Sequence, residues 1–125
     1  MSRIRDKLIL ITGASAGIGE ACARRCAAEG ANLVLWARRE DRLADLAGEL
    51  HEDAGLEIRV AGVDVRDREA VDAEAAEMQA ASLIPDVLIN NAGLASGLAP
   101  LQEGDPEDWD RMIDTNVKGL LHVSR

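Results

Sequence analysis

The sequence predicts an α/β domain on a doubly wound parallel sheet, of which this chain carries the first half. Three observations carry that expectation. Short apolar runs alternate with amphipathic, Ala- and Glu-rich segments along the whole chain. A glycine-rich turn, Thr12-Gly13-Ala14-Ser15-Ala16-Gly17-Ile18-Gly19, joins the first apolar run to the first amphipathic segment. Each later run ends in a chemically specific cluster. Nearly continuous apolar strands separated by amphipathic helices imply a parallel sheet covered on both faces. Right-handed crossovers then give the strand order 3-2-1-4.

Taken in order, Lys7 to Thr12 reads as the first strand and Gly17 to Ala28 as a helix, with Gly30 as its C′ glycine. Asn32 to Trp36 is the second strand. In the helix from Arg39 to Glu52, Leu43, Leu46, Ala47 and Leu50 fall at helical spacing. Glu57 to Val63 is the third strand, Arg66 to Ala80 an Ala/Glu-rich helix, and Pro85 to Asn90 the fourth strand. Asp105 and Pro106 form an N-cap and N1 pair for a last helix, with Asp108 favouring its dipole. The longest irregular piece, Gly93 to Gly104, follows the carboxyl end of the fourth strand, where such sheets bind ligands.

The chain's 125 residues fit one domain, residues 1–125, with 47% hydrophobic and 30% charged residues. Fourteen Lys and Arg against 23 Asp and Glu give a formal charge of −9, which argues against a general nucleic-acid or anionic-membrane surface. The first apolar run is too short for a signal peptide or membrane span, and the chain reads as cytoplasmic. Cys22 and Cys26 share one helix face and read as small buried thiols, since His51 and His122 show no metal-ligand spacing. The chain contains no Tyr and no Phe.

The strand ends carry the chemistry. Glycines let a backbone approach phosphates closely, and a helix start offers free N–H donors and a partial positive charge. The amides of the glycine turn are therefore expected to hold a pyrophosphate, with hydroxyl donors from Thr12 and Ser15. A purely structural turn is the alternative. After the second strand comes Trp36-Ala37-Arg38-Arg39, where an NAD site usually places an acid. An arginine fork instead matches a 2′-phosphate in charge and geometry, so NADP is expected over NAD. A solvated charge cluster is the alternative. After the third strand, Asp64 can cap the next helix or accept from an adenine amino group. After the fourth, Asn90-Asn91-Ala92-Gly93 suits a backbone passing close to a ribose.

These motifs, with Asp114-Thr115-Asn116-Val117-Lys118-Gly119, stand in one order at compatible spacings over essentially the whole chain. Together they resemble the short-chain dehydrogenase/reductase family. The resemblance implies a Rossmann-type fold, NAD(P), and hydride transfer between a carbonyl and an alcohol. It places Gly13, Ala14, Ser15, Ala16, Gly17 and Ile18 on the diphosphate side and Arg38 and Arg39 at the 2′-phosphate. It sets Asp64 and Val65 beside the adenine and Asn91 by the nicotinamide-side ribose, and makes Asn116 the catalytic asparagine. The run from Asn90 through Trp109 to Asn116 is similar to NADP-dependent 3-hydroxy acid dehydrogenases.

Family members are built from two such halves, and their catalytic serine and Tyr-x-x-x-Lys lie in the second. With no tyrosine, this chain alone is expected to be catalytically incompetent. Its fourth strand is expected to be an open edge, with Leu120, Leu121 and Val123 exposed, making the isolated chain poorly soluble or oligomeric. The resemblance suggests a homo-oligomer, dimer or tetramer, for the full-length form, and a small-molecule carbonyl or alcohol substrate. The alternative to an enzyme is a non-catalytic dinucleotide-binding half-domain or a fragment that assembles with a partner.

Overall fold

The computed structural model describes residues 3–15, 17–54, 56–92, 105–113, 117–118 and 120–124. The elements follow as β1 (Leu8–Thr12), α1 (Gly17–Ala28), β2 (Asn32–Ala37), α2 (Glu40–Ala54), β3 (Ile58–Gly62), α3 (Arg68–Ala80), β4 (Val87–Ile89), α4 (Pro106–Ile113) and α5 (Leu120–Ser124). The sheet runs β3-β2-β1-β4, all pairs parallel, as the alternating pattern predicts. Ile11 pairs with Leu35 on one side and Ile89 on the other.

Successive strand residues point to opposite faces. Ile9, Ile11, Leu33 and Leu35 pack with Ala23 and Cys26 of α1 and with Leu43, Leu46 and Leu50 of α2. Leu10, Val34 and Trp36 pack instead with Val71 and Met78 of α3. Both faces are covered, and β1 and β2 are buried at every position past their first residues. Cys26 is buried and Cys22 partly so, both on the α1 core face, and burial raises the Cys26 thiol above its ordinary pKa, helped by Cys22 and Glu29.

Local hydrogen bonds set the element ends. Gly30 (φ +87°) closes α1 in a Schellman motif, its N–H donating to the Ala27 carbonyl while that of Ala31 donates to Cys26. Asp105 caps α4 by accepting the Glu107 N–H at 2.9 Å. The helix expected from Arg66 starts at Arg68, because Asp67 is its N-cap and accepts the Ala70 N–H. Asp64 is therefore not the cap. β4 is shorter than Pro85 to Asn90: Asp86 occupies its entry by bonding Leu8 through backbone and carboxylate, and Asn91 N–H turns back to the Ile89 carbonyl at its exit.

Among the described residues no helix is long and apolar enough to cross a membrane. At the β4 side, Ile84 is 70% and Leu121 59% exposed, as expected of an open edge. Val123 departs from that expectation. It is partly buried against the α3-side core, because α5 packs on α3. The side chain of Leu120 lies outside the described residues.

Candidate functional site

Because the strands are parallel, the residues following their carboxyl ends gather along one edge of the sheet. The β1–α1 turn stands between the β2 and β4 exits. Gly13 (φ +64°) and Gly17 (φ +58°) adopt left-handed backbone that side chains resist. The Ala14 N–H donates to the Trp36 carbonyl at 3.2 Å, pinning the turn to the end of β2. Gly19 packs so tightly that a Cβ would strike the Gly13 carbonyl oxygen and come within 2.5 Å of Asn91 Nδ2. That glycine lets the helix close on the strand. Outward, no described residue lies within 4 Å of a Cβ built at Gly17, and Ile18 is 75% exposed. Ser15 is half-buried, and Ala16 lies outside the described residues.

Thr12, 1% exposed, corrects the expectation of a phosphate donor. Its Oγ1 faces inward and accepts the N–H groups of Asn91 at 3.1 Å and Ala92 at 3.0 Å. Asn91 Nδ2 in turn donates to the Gly13 carbonyl at 3.2 Å. Thr12 and Asn91 thus hold the glycine turn and the β4 exit as one unit. Asn90 Nδ2 donates to Ser124 Oγ at 2.9 Å, bringing the end of α5 to the same edge.

At the β2 exit, Arg38 and Arg39 are both exposed, and neither guanidinium makes a hydrogen bond or ion pair among the described residues. At the β3 exit, Asp64 accepts the Arg66 backbone N–H at 3.0 Å and its guanidinium on both oxygens, with Nη2 at 2.7 Å from Oδ2. Those Arg66 bonds hold the Asp64 carboxyl below its ordinary pKa against the opposing effect of burial, with smaller help from the Arg38 charge. Val65 points its side chain inward (6% exposed), and its carbonyl oxygen lies 2.9 Å from His122 Nδ1.

The structure therefore brings Gly13, Ala14, Ser15, Gly17, Ile18, Arg38, Arg39, Asp64, Val65 and Asn91 to one edge. Asn116 lies outside the described residues. Sequence reasoning missed the inward role of Thr12, the Arg66 clasp and the His122 contact. Only the clasp left a signal, an Asp followed two residues later by Arg, which suits an Asx turn. The donor set fits an anionic dinucleotide: two guanidiniums unpaired among the described residues stand beside a helix start whose first amides have no intrahelical partner. A cavity of about 320 Å³, lined by Leu8, Leu33, His51, Ile58 and Arg59, lies at the opposite edge among the strand beginnings. No group of three or more His, Cys, Asp or Glu able to hold a metal is found among the described residues.

The family described as short chain dehydrogenase matches residues 7–125. The chain is similar to sulfoacetaldehyde reductase 2 of Chromohalobacter salexigens, at 46% identity over 94% of this chain and 46% of that protein. It is 42% identical to the NADP-dependent 3-hydroxy acid dehydrogenase of Escherichia coli, over 94% of this chain and 46% of that one. Among solved structures, L-sorbose reductase from Gluconobacter frateurii, complexed with NADPH and L-sorbose, superposes with a TM-score of 0.89 at 36% identity, covering 98% of this chain and 46% of that one. The chain spans about half the length of the curated relatives it matches.

Proposed function

The chain belongs to the short-chain dehydrogenase family, and we propose that it is the nucleotide-binding, amino-terminal part of an NADP-linked oxidoreductase. The observation that carries the cofactor reading is the exposed Arg38 and Arg39 pair beside the glycine turn, without hydrogen bond or ion pair among the described residues. When bound, the cofactor supplies the hydride that passes between a carbonyl and an alcohol. The chain's own residues do the holding. Gly13, Gly17 and Ile18 shape a turn whose helix-start amides take the diphosphate, with Ser15 and Ala16 in the same turn. Arg38 and Arg39 take the 2′-phosphate, Asp64 and Val65 flank the adenine, and Asn91 keeps the turn at the fixed distance from β4 that its bond to Gly13 sets.

The proton-transferring acid of this reading is a tyrosine, which these 125 residues do not include. In this reading the chain alone binds cofactor without turning it over. Asn116 serves catalysis together with a serine and a Tyr-x-x-x-Lys supplied by further sequence. The substrate class is a small 3-hydroxy acid or a related anionic aldehyde, which the names of the two curated relatives support. The complete protein assembles as a homo-oligomer in the cytoplasm.

Calorimetric titration with NADP and NAD tests the reading. Replacing Arg38 with Asp and Arg39 with Ala is expected to weaken NADP by roughly tenfold or more while leaving NAD nearly unchanged. Equal losses for both cofactors overturn the 2′-phosphate assignment.

A further inference from the structure

We propose that Arg66 sets cofactor preference from outside the phosphate pocket, by clasping Asp64 so that Arg38 and Arg39 remain available to a 2′-phosphate. The inference rests on the reading just given for those two arginines. The β2 and β3 exits run side by side: Ala37 pairs with Gly62, the Val63 N–H donates to the Ala37 carbonyl at 2.9 Å, and a Cβ at Gly62 would lie 3.9 Å from the Arg38 carbonyl oxygen. Arg38 and Asp64 therefore leave the sheet as neighbours, and the Arg38 charge is felt at the Asp64 carboxyl.

A carboxylate at that position opposes a 2′-phosphate in two ways. It repels the incoming dianion, and it competes for the guanidinium meant to bind it. A second acid adds to the problem, since Glu40 opens α2 with its Oε2 3.4 Å from the place of a Gly62 Cβ. Arg66 answers both effects at once. Its Nε reaches both Asp64 oxygens at 3.1 Å and its Nη2 reaches Oδ2 at 2.7 Å, while its backbone N–H fixes the carboxylate from below at 3.0 Å. With Arg66 present, the guanidiniums of Arg38, Arg39 and Arg66 outnumber the carboxylates of Glu40 and Asp64 at these two strand exits. Without it, the two remaining guanidiniums are matched by two carboxylates and no excess positive charge is left for a phosphate. Asp41 and Arg42, further along α2, offset each other.

The test uses the chain itself, with 2′,5′-ADP and 5′-AMP as probes, and reads the ratio of their affinities by calorimetry. The ratio isolates the 2′-phosphate, because any loss of an adenine contact at Asp64 weakens both probes alike. Arg66→Gln is expected to lower the ratio roughly fivefold. In the Asp64→Asn/Arg66→Gln double variant the ratio is expected to return to within about twofold of the parent. Asp64→Asn alone, which keeps Arg66, is expected to hold or raise the ratio, and a fall overturns the inference even where Arg66→Gln fails to fold. A ratio unchanged in Arg66→Gln but lowered by Arg38→Asp also overturns it, leaving the arginine reading intact. An equal loss of both probes without rescue by Asp64→Asn assigns Arg66 a purely structural role. A parent chain that does not prefer 2′,5′-ADP overturns the arginine reading itself.

Discussion

His122 Nδ1 lies 2.9 Å from the Val65 carbonyl oxygen, so helix α5 is tethered to the loop that leaves β3, 57 residues earlier in the chain. The donor in this contact is the ring N–H, and the carbonyl accepts. Ser124, accepting from Asn90, provides a second attachment on the same helix. Removing the ring should loosen α5 without disturbing the sheet. His122→Ala is expected to cost about 1 kcal/mol in urea unfolding, and His122→Asn, whose amide can still donate, should recover most of it. Equal losses in both variants would show that ring packing, and not the hydrogen bond, holds the helix.

Gly19 and Gly48 should respond to alanine in opposite directions. At Gly19 the new methyl meets the Gly13 carbonyl and Asn91 Nδ2, both parts of the turn. Gly19→Ala is expected to destabilise by about 2 kcal/mol and to weaken nucleotide binding. Gly48 sits exposed within α2 with nothing near its Cβ position. There alanine should stabilise by about 0.5–1 kcal/mol, through helix propensity alone. Thermal melts of the two variants side by side give the comparison.

Thr12→Val keeps the shape of a buried side chain and removes the oxygen that receives the Asn91 and Ala92 amides. The Ala92 amide then loses that partner and the Asn91 amide keeps only the Ile89 carbonyl, at an expected cost of about 1–3 kcal/mol. Thr12→Ser, which keeps the hydroxyl, should lose far less. Faster amide exchange confined to residues 91 and 92 in the valine variant would locate the effect.

The Asp64–Arg66 pair predicts an acid limb in stability. The native Asp64 carboxyl is held below its ordinary value of 3.8, chiefly by the Arg66 hydrogen bonds. A depressed native pKa stabilises the fold fully above the unfolded value, and the contribution fades as pH falls below it. Denaturant midpoints should therefore drop more steeply in the parent than in Asp64→Asn as the pH falls below about 4. Parallel curves would show that the pair contributes nothing to the acid limb.

Much of the architecture was legible because two-sided burial writes itself into consecutive residues. Ile9 and Ile11 face α1 and α2 while Leu10 faces α3, so the run has no polar side to mistake. The gathering of the glycine turn, Arg38, Asp64 and Asn91 at one edge followed from parallel order alone. What escaped depended on side-chain competition. Asp64 and Asp67 both suit a helix cap, and Arg66 decides between them by claiming Asp64. The direction of the Thr12 hydroxyl depends on amides far along the chain, which no local pattern encodes. Val123 looked like an exposed position until α5 was seen to fold back on α3.

The bonds from Thr12 join residues 79 and 80 positions apart. By contrast β1 meets β2, and β2 meets β3, through single intervening helices. Closing the longest loop costs the most chain entropy and is rewarded only once its contacts form. The cofactor turn should therefore acquire its final shape late in folding, when the β4 exit docks beneath it. Nucleotide binding then reads out the completion of the sheet, and a newly made chain stalled before β4 would hold three paired strands without a working turn.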